Sequence, residues 1–504
     1  MPAQKGDEFS GQQFQEDEVN FAGRSVDSRC KEWGIAVTNM DRHELLKLLE
    51  PHGQSHLVDW FHELSVDQQS RLAHQVRQLD FTLIARLIAL RDQKNSAAGE
   101  RRAARAEAPQ ELVRLADSNN AAAREAGERL LADGKVAAIL VAGGQGSRLG
   151  FEAPKGIFPI GPVSQRSLFQ MHCEQLLARS RRAGRTIPYL IMTSDATHEA
   201  TVDFFRTHDY FGLPASSVHF FQQASLPAID AGSNRILLAD KHELTLSPDG
   251  HGGILRALKQ SGLLDEMKSE GIEHFFYHQV DNPTAILCDP VFLGLHAQRR
   301  SDMSTKVVAK VDPHERMGVI VTLDGQTQII EYSDLSRDEA ERVDAAGQPI
   351  FWAGNTAIHA LRREFLDELT SGDAGLPFHI AHKPVACLNT DGLVINADPK
   401  CPNAHKFEQF IFDALPQAQV ALVVEADRQR EFNPVKNATG ADSPVTSRAA
   451  LNRIAREWIT AAGGHVDPGI NLEISPLFAL DAEELATRIS AGTRYQQPTV
   501  LGPR

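Results

Sequence analysis

A glycine-rich loop beside two basic residues is the most informative stretch of this 504-residue chain. The apolar run VAAILVA has the character of a strand and stops at Gly143 and Gly144, and Arg148 and Lys155 follow shortly after. Glycine leaves backbone N–H groups accessible, and a loop that leads from a strand into a helix commonly binds phosphate. Two fixed cations beside open backbone favour a polyphosphate, of which a nucleoside triphosphate is the best candidate.

The spacing of the glycines excludes two familiar nucleotide-binding loops. A Walker loop requires Ser or Thr after its lysine, whereas Gly156 follows Lys155. A dinucleotide-binding loop requires G-x-G-x-x-G, whereas Gly150 comes one residue too late after Gly146. A plain tight turn in a βα unit would explain the glycines, but it would not explain the two cations.

The elements around this loop predict an α/β fold with a mostly parallel sheet. From the loop onward, apolar runs such as PYLIMT, VHFFQQ and HFFYHQV alternate with helical stretches such as SLFQMHCEQLLARSRRAG. Repeated βα units form a sheet that is covered on both faces and binds ligands beyond the carboxyl ends of its strands. We therefore expect the loops AGGQGSRLG, QQASLP, SPDGHGG and QVDNP to meet at one edge of the sheet.

Three parts are predicted along the chain. Residues 1–130 comprise a polar tail and a helical segment, in which helices begin at an Asp41 cap and at a Ser65-x-x-Gln68 capping box. A charged stretch, RRAARAEAPQELVRLADSNNAAAREAGERLLADG, is expected to continue as helix. Residues 131–400 form the ligand-binding α/β domain. Residues 401–504 begin with an aromatic helix, HKFEQFIFDAL, which the strand VALVVEA follows.

Composition narrows the class of protein. A formal net charge of -14 argues against a nucleic-acid partner and against anionic membrane. The five cysteines are scattered without a C-x-x-C pair, which indicates a reduced, cytoplasmic protein rather than a disulfide scaffold or a zinc site. The N-terminus lacks the apolar core of a signal peptide and no apolar run approaches membrane-spanning length, so we expect neither secretion nor insertion. The oligomeric state is left open.

The loop LVAGGQGSRLGFEAPKGIFPIG resembles the signature loop of the UDP-sugar pyrophosphorylases, in particular the N-acetylglucosamine branch. Further blocks resemble that family in order, among them FFQQASLPA, SPDGHGG, EYSDL, FWAGNTAIH and NPVKNA. The resemblance runs from near Leu45 to near Pro476 and implies a Rossmann-like nucleotidyltransferase. The implied reaction converts UTP and a sugar 1-phosphate into a UDP-sugar and pyrophosphate.

The resemblance also implies a role for each candidate residue. Catalysis would depend on the cations Arg148, Lys155 and Lys436, and Asp281 would hold Mg²⁺ together with phosphate oxygens and water. The positions expected at the nucleotide are Val141, Ala142, Gly143, Gly144, Gln223, Gly250 and His251. Among these, Gln223 and Gly250 would contact the edge of the uracil ring. The positions expected at the sugar are Gly318, Glu331, Asn355, Phe410 and Phe412, with the phenylalanines beside an acetamido methyl group.

Simpler interpretations of single residues stay open. Taken alone, Asp281 is equally typical of a turn, Glu331 of an exposed strand end, and Lys436 of a solvated loop. Phe410 and Phe412 lie two residues apart, which on the predicted helix directs them to different faces. At least one of the two is then expected to belong to the ordinary core.

The identity of the sugar depends on conflicting signals. His251 stands where the N-acetylglucosamine branch has Asn and is similar to the glucose branch, whereas EYSD and AGN resemble the N-acetylglucosamine branch. The sequence therefore predicts transfer to N-acetylglucosamine 1-phosphate. The alternatives are a glucose 1-phosphate enzyme, a broad UDP-sugar pyrophosphorylase, and a non-catalytic regulator that binds a UDP-sugar.

Overall fold

The computed structural model describes residues 41–93, 98–114, 120–372 and 375–502. The chain separates into two compact units, of which the first ends at Leu79 and the second begins at Asp80. The predicted polar tail, and residues 115–119 of the predicted charged helix, lie outside the described residues. The division at residues 130 and 400 stays a prediction.

The described part of the first unit contains two capped helices, Arg42–Leu49 and Val66–Arg77. Both predicted starts are confirmed. The side chains of Asp41 and Ser65 each accept the backbone N–H of the third helical residue, and that residue's side chain binds back to the cap.

In its described residues, the second unit is built on a ten-stranded, mostly parallel sheet. Its strands β1 to β10 are, in chain order, Leu112–Val113, Val136–Val141, Tyr189–Thr193, Val218–Gln222, His274–Gln279, Met303–Ala309, Val319–Leu323, Gln326–Ile330, Ala353–Arg362 and Ala421–Glu425. The order across the sheet is β1-β10-β6-β9-β5-β2-β3-β4, and the hairpin β7–β8 pairs with the start of β9. Among the described strands on that path, only β9 runs antiparallel to its neighbours. The predicted fold class is confirmed.

Helices cover both faces of this sheet, and the core lies on both sides of it. Along β2, Leu140 belongs to one hydrophobic cluster and Ile139 to the other, because successive side chains of a strand point to opposite faces. Burial on both faces explains why β2 and β3 are unbroken apolar runs in the sequence.

The helices of this second unit are Phe81–Gln93, Ala98–Arg105, Ala121–Ala132, Leu168–Ala183, His198–Thr207, Ile254–Gln260, Leu263–Ser269, Pro290–Gln298, Arg337–Ala340, Arg363–Ser371, Arg428–Glu431, Pro444–Ala461 and Ala482–Arg488. Within the described residues, no helix combines the length and the apolar character that crossing a bilayer requires.

The predicted aromatic helix HKFEQFIFDAL is wrong. Ala404–Gln409 is a strand that pairs antiparallel with Phe378–Lys383, and a 3-10 segment, Ile411–Gln417, follows it. The aromatic residues have helical spacing, but pairing with a strand that is distant in sequence overrides this local period. A proline inside the 3-10 segment, Pro416, also disfavours a continuing α-helix.

The single charged helix predicted after residue 100 is wrong as well. The described residues divide into the helix Ala98–Arg105, the short strand β1 and the helix Ala121–Ala132. Pro109 lies between the first helix and β1, and proline is poorly tolerated inside a helix.

Candidate active site

The glycine loop leaves the carboxyl end of β2, at Val141, and folds back on itself. The backbone N–H of Lys155 donates to the carbonyl of Gly144 at 3.0 Å, which returns this lysine to the start of the loop. A methyl group placed on Gly144 would meet no atom of the described residues within 4 Å, so the backbone there is open to a ligand. Arg148 lies on the same loop and is exposed.

Close packing explains the glycine at position 143. A methyl group on Gly143 would lie 2.4 Å from Oε1 of Gln223. The Gly143 carbonyl accepts a hydrogen bond from Oγ of Ser194 at 2.8 Å, and Oγ1 of Thr197 donates to the carbonyl of Ala142 at 3.5 Å. Ser194 and Thr197 are buried supports of the loop that the sequence analysis missed. Ser194 directly follows β3, and no motif in the sequence marks Thr197.

Lys155 reaches the carboxyl end of the neighbouring strand β5. Its Nζ lies 3.3 Å from Oδ2 of Asp281, and the two side chains are 18% and 13% exposed. The backbone N–H of Val435 donates to the carbonyl of Asp281 at 2.8 Å, which places the NPVKNA segment beside QVDN. Lys436 follows Val435 and is half-buried rather than fully solvated. Charged residues far apart in sequence therefore meet at one edge of the sheet.

The residues around Asp281 fit a magnesium ion that arrives with phosphate. The next residue, Asn282, has a structural role, because its Nδ2 donates to the carbonyl of Glu431 at 2.7 Å. No group of three or more His, Cys, Asp or Glu side chains in the described chain could hold a metal by itself. A single carboxylate suits Mg²⁺ when phosphate oxygens and water complete its coordination.

The two residues predicted at the uracil ring contact each other. Nε2 of Gln223, just after β4, donates to the carbonyl of Gly250 at 3.4 Å. Gly250 has a φ of 85°, and a methyl group there would lie 2.4 Å from the carbonyl oxygen of Gln409. The N–H of Gln409 donates in turn to the carbonyl of Asp249 at 2.7 Å, so this loop is fixed to the end of a strand.

His251 is a neutral ring within an aromatic cluster. Its Nδ1 accepts the backbone N–H of Ile411 at 3.2 Å, so the ring hydrogen is on Nε2. Burial lowers the pKa of His251 to about 4, and nearby His379 contributes to the decrease. The ring centroids of Phe410 and Phe412 lie 5.2 Å and 5.6 Å from that of His251.

The two phenylalanines are therefore neighbours. Their ring centroids are 5.0 Å apart, and no helix directs them to opposite faces. Phe412 is a buried member of the core, as expected for at least one of the pair, and Phe410 packs against the same cluster. Both rings also border His251, which the helical interpretation did not anticipate.

Three further predicted residues meet where the hairpin β7–β8 joins the start of β9. The backbone N–H of Asn355 donates to the carbonyl of Gly318 at 2.9 Å. A methyl group on Gly318 would lie 2.8 Å from Oε1 of Glu331. Because β9 is antiparallel to β5 and β6, its first residues lie at the edge where those strands end. The reversed strand thus delivers Asn355 to the same edge as Asp281.

Glu331 connects this group with Lys436 and with a His379–Asp413 contact that the sequence analysis missed. Burial raises the pKa of Glu331 and nearby Asp334 adds to the rise, whereas His379 and Lys436 oppose it. Nε2 of His379 lies 2.7 Å from Oδ2 of Asp413. No local motif marks His379 or Asp413, because only the pairing of distant strands brings them together.

The sequence profile of the UTP–glucose-1-phosphate uridylyltransferase family matches residues 82–452. The chain belongs to this family. The UDP-N-acetylglucosamine pyrophosphorylase of Saccharomyces cerevisiae is 37% identical over 371 residues, which cover 71% of this chain and 77% of that protein. UDP-N-acetylglucosamine diphosphorylase 2 of Arabidopsis thaliana is 33% identical over 492 residues, which cover 92% and 95% of the two chains.

A solved uridylyltransferase structure shares the fold. The uridine diphosphate N-acetylglucosamine pyrophosphorylase from Trypanosoma brucei, in complex with an inhibitor, superimposes with a TM-score of 0.76 at 26% identity. The match covers 89% of this chain and 95% of that one. The predicted family and enzyme class are confirmed: the chain is a nucleotidyltransferase, and its family implies UTP and a sugar 1-phosphate as substrates.

Proposed function

We propose that this uridylyltransferase converts UTP and N-acetylglucosamine 1-phosphate into UDP-N-acetylglucosamine and pyrophosphate. The observation that carries the proposal is the meeting of Lys155, Asp281 and Lys436 beside the open glycine loop. Nζ of Lys155 lies 3.3 Å from Oδ2 of Asp281, and the residue before Lys436 is hydrogen-bonded to the Asp281 carbonyl at 2.8 Å. Cations at this position suit a crowded set of phosphate groups.

The reaction replaces one phosphate linkage by another. A phosphate oxygen of the sugar 1-phosphate attacks the α-phosphorus of UTP, and the bond from that phosphorus to the β-phosphate oxygen breaks as pyrophosphate leaves. The nucleophile is largely ionised at neutral pH because its second pKa is about 6. No general base is then required, and the protein contributes alignment and positive charge.

Each charged residue has a place in this scheme. Arg148 and Lys155 would neutralise the UTP phosphates, and Lys436 would hold the phosphate of the sugar. The ion pair between Lys155 and Asp281 orients both side chains before nucleotide binds. Asp281 would hold Mg²⁺, which when bound would neutralise further charge on the phosphate oxygens.

The choice of sugar is supported by the names of the relatives and by the aromatic cluster. Both relatives described above are N-acetylglucosamine enzymes. Phe410 borders His251 and offers an apolar surface to an acetamido methyl group. Glu331 can accept hydrogen bonds from sugar hydroxyls, and the Asn355 amide can donate and accept.

The test is a panel of sugar 1-phosphates, with release of pyrophosphate from UTP as the readout. We expect the highest kcat/KM with N-acetylglucosamine 1-phosphate. The margin over glucose 1-phosphate should be roughly tens of fold, because one small apolar group is worth about 1–3 kcal/mol. The opposite order would identify a glucose enzyme. Binding of UDP-sugar without turnover of any substrate would identify a non-catalytic regulator.

The cellular setting is a proposal from composition. A net charge of -14 and scattered cysteines support a cytoplasmic protein that binds neither nucleic acid nor membrane. Fractionation of cells that express the chain checks the location, and recovery in the membrane pellet would contradict it.

A further inference from the structure

A buried lysine on strand β6, Lys306, has no part in the reaction above. Its side chain is 2% exposed, and its Nζ lies 2.7 Å from Oδ2 of Asp289 and 2.5 Å from Oε2 of Glu431. The centroid of the Phe292 ring lies 5.4 Å from the same nitrogen. Lysine is almost never fully buried unless it is paired, so the feature to explain is the bridge between the two carboxyl groups.

Stability alone does not account for a buried bridge of this kind. Removing charged groups from water is costly, and well-packed hydrophobic residues of similar volume often stabilise a fold equally well. A charged bridge does fix one geometry, because Nζ of Lys306 must contact both carboxyl groups at once. The bridge therefore sets the spacing between the two segments that carry Asp289 and Glu431.

Asp289 belongs to the segment that begins at the proposed metal ligand. It ends the loop that leads from Asp281, and its Oδ1 accepts the backbone N–H of Val291 at 3.0 Å. This bond caps the helix Pro290–Gln298. One oxygen of the carboxyl group thus holds the helix while the other contacts Lys306, so this end of the bridge is fixed.

Glu431 belongs to the segment that carries Lys436. It ends the short helix Arg428–Glu431, shortly before Lys436 in the chain. Its backbone carbonyl accepts Nδ2 of Asn282 at 2.7 Å, and Oδ1 of Asn282 accepts the backbone N–H of Asn433 at 3.2 Å. The segment is therefore bound to the loop after β5 as well as to β6.

These contacts connect Lys306 with Lys436. The side chain of Glu431 contacts Lys306 at one end of the segment. At the other end, the backbone N–H of Val435, next to Lys436, donates to the carbonyl of Asp281 at 2.8 Å. A shift of Glu431 would therefore move Lys436 relative to Asp281.

We propose that Lys306 is a positioning residue that, through Glu431, holds Lys436 against the phosphate of the sugar substrate. The inference rests on the proposed function, because it requires Lys436 to contact that phosphate. Lys306 itself is buried and would touch neither substrate. Its effect would still be large, because a displacement of about 1 Å caused far from the reacting atoms can cost about a hundredfold in rate.

The nucleotide sugar reports the position of Lys436 without turnover. Attack at the α-phosphorus converts the phosphate of the sugar into the β-phosphate of UDP-N-acetylglucosamine, so this ligand brings that phosphate to Lys436. The attacking and leaving oxygens lie roughly in line, so the β- and γ-phosphates of UTP extend to the opposite side. Calorimetry with each ligand, in the absence of pyrophosphate, therefore distinguishes a displaced Lys436 from a damaged nucleotide site.

Glu431→Leu breaks the bridge while Lys306 keeps Asp289 as its partner. We expect the affinity for UDP-N-acetylglucosamine to fall about tenfold and the affinity for UTP to stay unchanged. The size is the lower end of the loss that follows removal of a partner that orients a metal ligand. Lys306→Met should show the same difference between the two ligands. Glu431→Gln retains an oxygen that can accept from Nζ of Lys306, so it should keep most of the wild-type affinity.

Asp302→Leu is the matched control. Asp302 directly precedes β6, at the end of that strand opposite the candidate active site, and its side chain is 5% exposed and pairs with Arg362. The substitution removes a buried carboxyl group from an ion pair, as Glu431→Leu does. It should lower the free energy of unfolding and leave both affinities at their wild-type values. A selective loss of UDP-N-acetylglucosamine affinity in this control would overturn the inference.

A double variant tests whether the effect passes through Lys436. Lys436→Ala should itself lower the affinity for UDP-N-acetylglucosamine, and Glu431→Leu should lower it no further in that background, because no cation remains to be positioned. A further fall would overturn the inference. Wild-type affinity in Lys436→Ala together with a loss in Glu431→Leu would overturn it too, because the loss would not depend on Lys436.

Glu431→Leu decides the question even where Lys306→Met does not fold. Wild-type affinities in this variant, or an equal loss of affinity for both ligands, would overturn the inference. Failure of the proposed function is distinguishable, because turnover is not measured here. A wild-type protein that binds UDP-N-acetylglucosamine but releases no pyrophosphate from UTP with any sugar 1-phosphate would refute the reaction and leave the role of Lys306 intact.

Discussion

The nucleotide side and the sugar side of the site are built in different ways. The nucleotide side uses the ends of adjacent parallel strands, β2, β3 and β4, and direct contacts join its loops, such as the bond from Ser194 to the Gly143 carbonyl. The sugar side uses the hairpin β7–β8, the reversed strand β9 and the strand Ala404–Gln409. Consecutive βα units form the first, whereas the second requires pairing between distant segments.

Because of this difference, the residues proposed for the reaction and the residues proposed for sugar selection lie on different sides of the site. The nucleotide side carries Arg148, Lys155 and Asp281, which would act on phosphate groups common to all substrates. The sugar side carries Glu331 and the phenylalanines Phe410 and Phe412, which border the neutral ring of His251. Substitutions on the nucleotide side should lower turnover with every sugar 1-phosphate. Substitutions on the sugar side should change which sugar 1-phosphate is preferred.

Removal of the metal should have the largest effect. We expect EDTA to abolish pyrophosphate release with every sugar 1-phosphate and added Mg²⁺ to restore it, because the phosphate groups lose a neutralising charge. Asp281→Asn should require more Mg²⁺ for the same recovery. Full activity in the chelator would contradict the role of Asp281 as a metal ligand.

Loss of one cation on the nucleotide side should have the next largest effect. Lys155→Ala and Arg148→Ala should each lower kcat by about a hundredfold, which corresponds to about 3 kcal/mol of transition-state stabilisation. The loss should be equal for glucose 1-phosphate and N-acetylglucosamine 1-phosphate. Lys268→Ala, at an exposed helical position, is the control and should have wild-type kcat. A loss of kcat with only one of the two sugar 1-phosphates would contradict the separate roles of the nucleotide side and the sugar side.

Substitution of His251 should alter sugar preference more than turnover. The ring is neutral and carries its hydrogen on Nε2, so it can donate to a hydroxyl group of glucose. His251→Asn should therefore raise the kcat/KM ratio of N-acetylglucosamine 1-phosphate over glucose 1-phosphate severalfold. An unchanged ratio with reduced kcat for both sugars would place His251 on the nucleotide side.

The smallest expected effect concerns acid stability. Burial lowers the pKa of His251 from 6.5 to about 4, so the unfolded chain binds this proton more readily than the folded one. The associated stability is present above pH 6.5 and is lost as the pH falls toward 4. Burial also lowers the pKa values of His172 and His359. His251→Asn should therefore remove only part of the loss of stability in acid. Urea unfolding at several pH values measures the free energy of unfolding. If this free energy depends on pH identically in wild type and variant, the predicted contribution of His251 is contradicted.

The features that could be predicted from the sequence depend on residues that are close together in the chain. Alternating strands and helices indicated the parallel sheet, and the glycine loop with Lys155 is one strand–loop–helix unit. The direction of β9 could not be inferred, because FWAGNTAIH does not indicate which way the strand runs. The strand Ala404–Gln409 and the pair His379–Asp413 depend on a partner strand that is distant in sequence.

Asp249 shows a second limit of prediction from the sequence. It lies in SPDGHGG, a motif that the sequence analysis singled out, yet only the structure shows that its carboxyl group is buried and lies against Gly253. Burial of a polar group results from the packing of several segments. A motif specifies where such a residue stands in the chain but not what surrounds its side chain.

The hydrogen bond from Val435 to the carbonyl of Asp281 has a consequence for biosynthesis. A polypeptide emerging from the ribosome displays the glycine loop early, but Lys436 becomes available only after most of the protein has been translated. The site proposed for the sugar phosphate is therefore incomplete on the nascent chain, and the sugar 1-phosphate can stabilise only molecules whose synthesis is nearly finished. A premature stop codon between Asp281 and Val435 would produce a polypeptide with the phosphate loop but without catalytic competence.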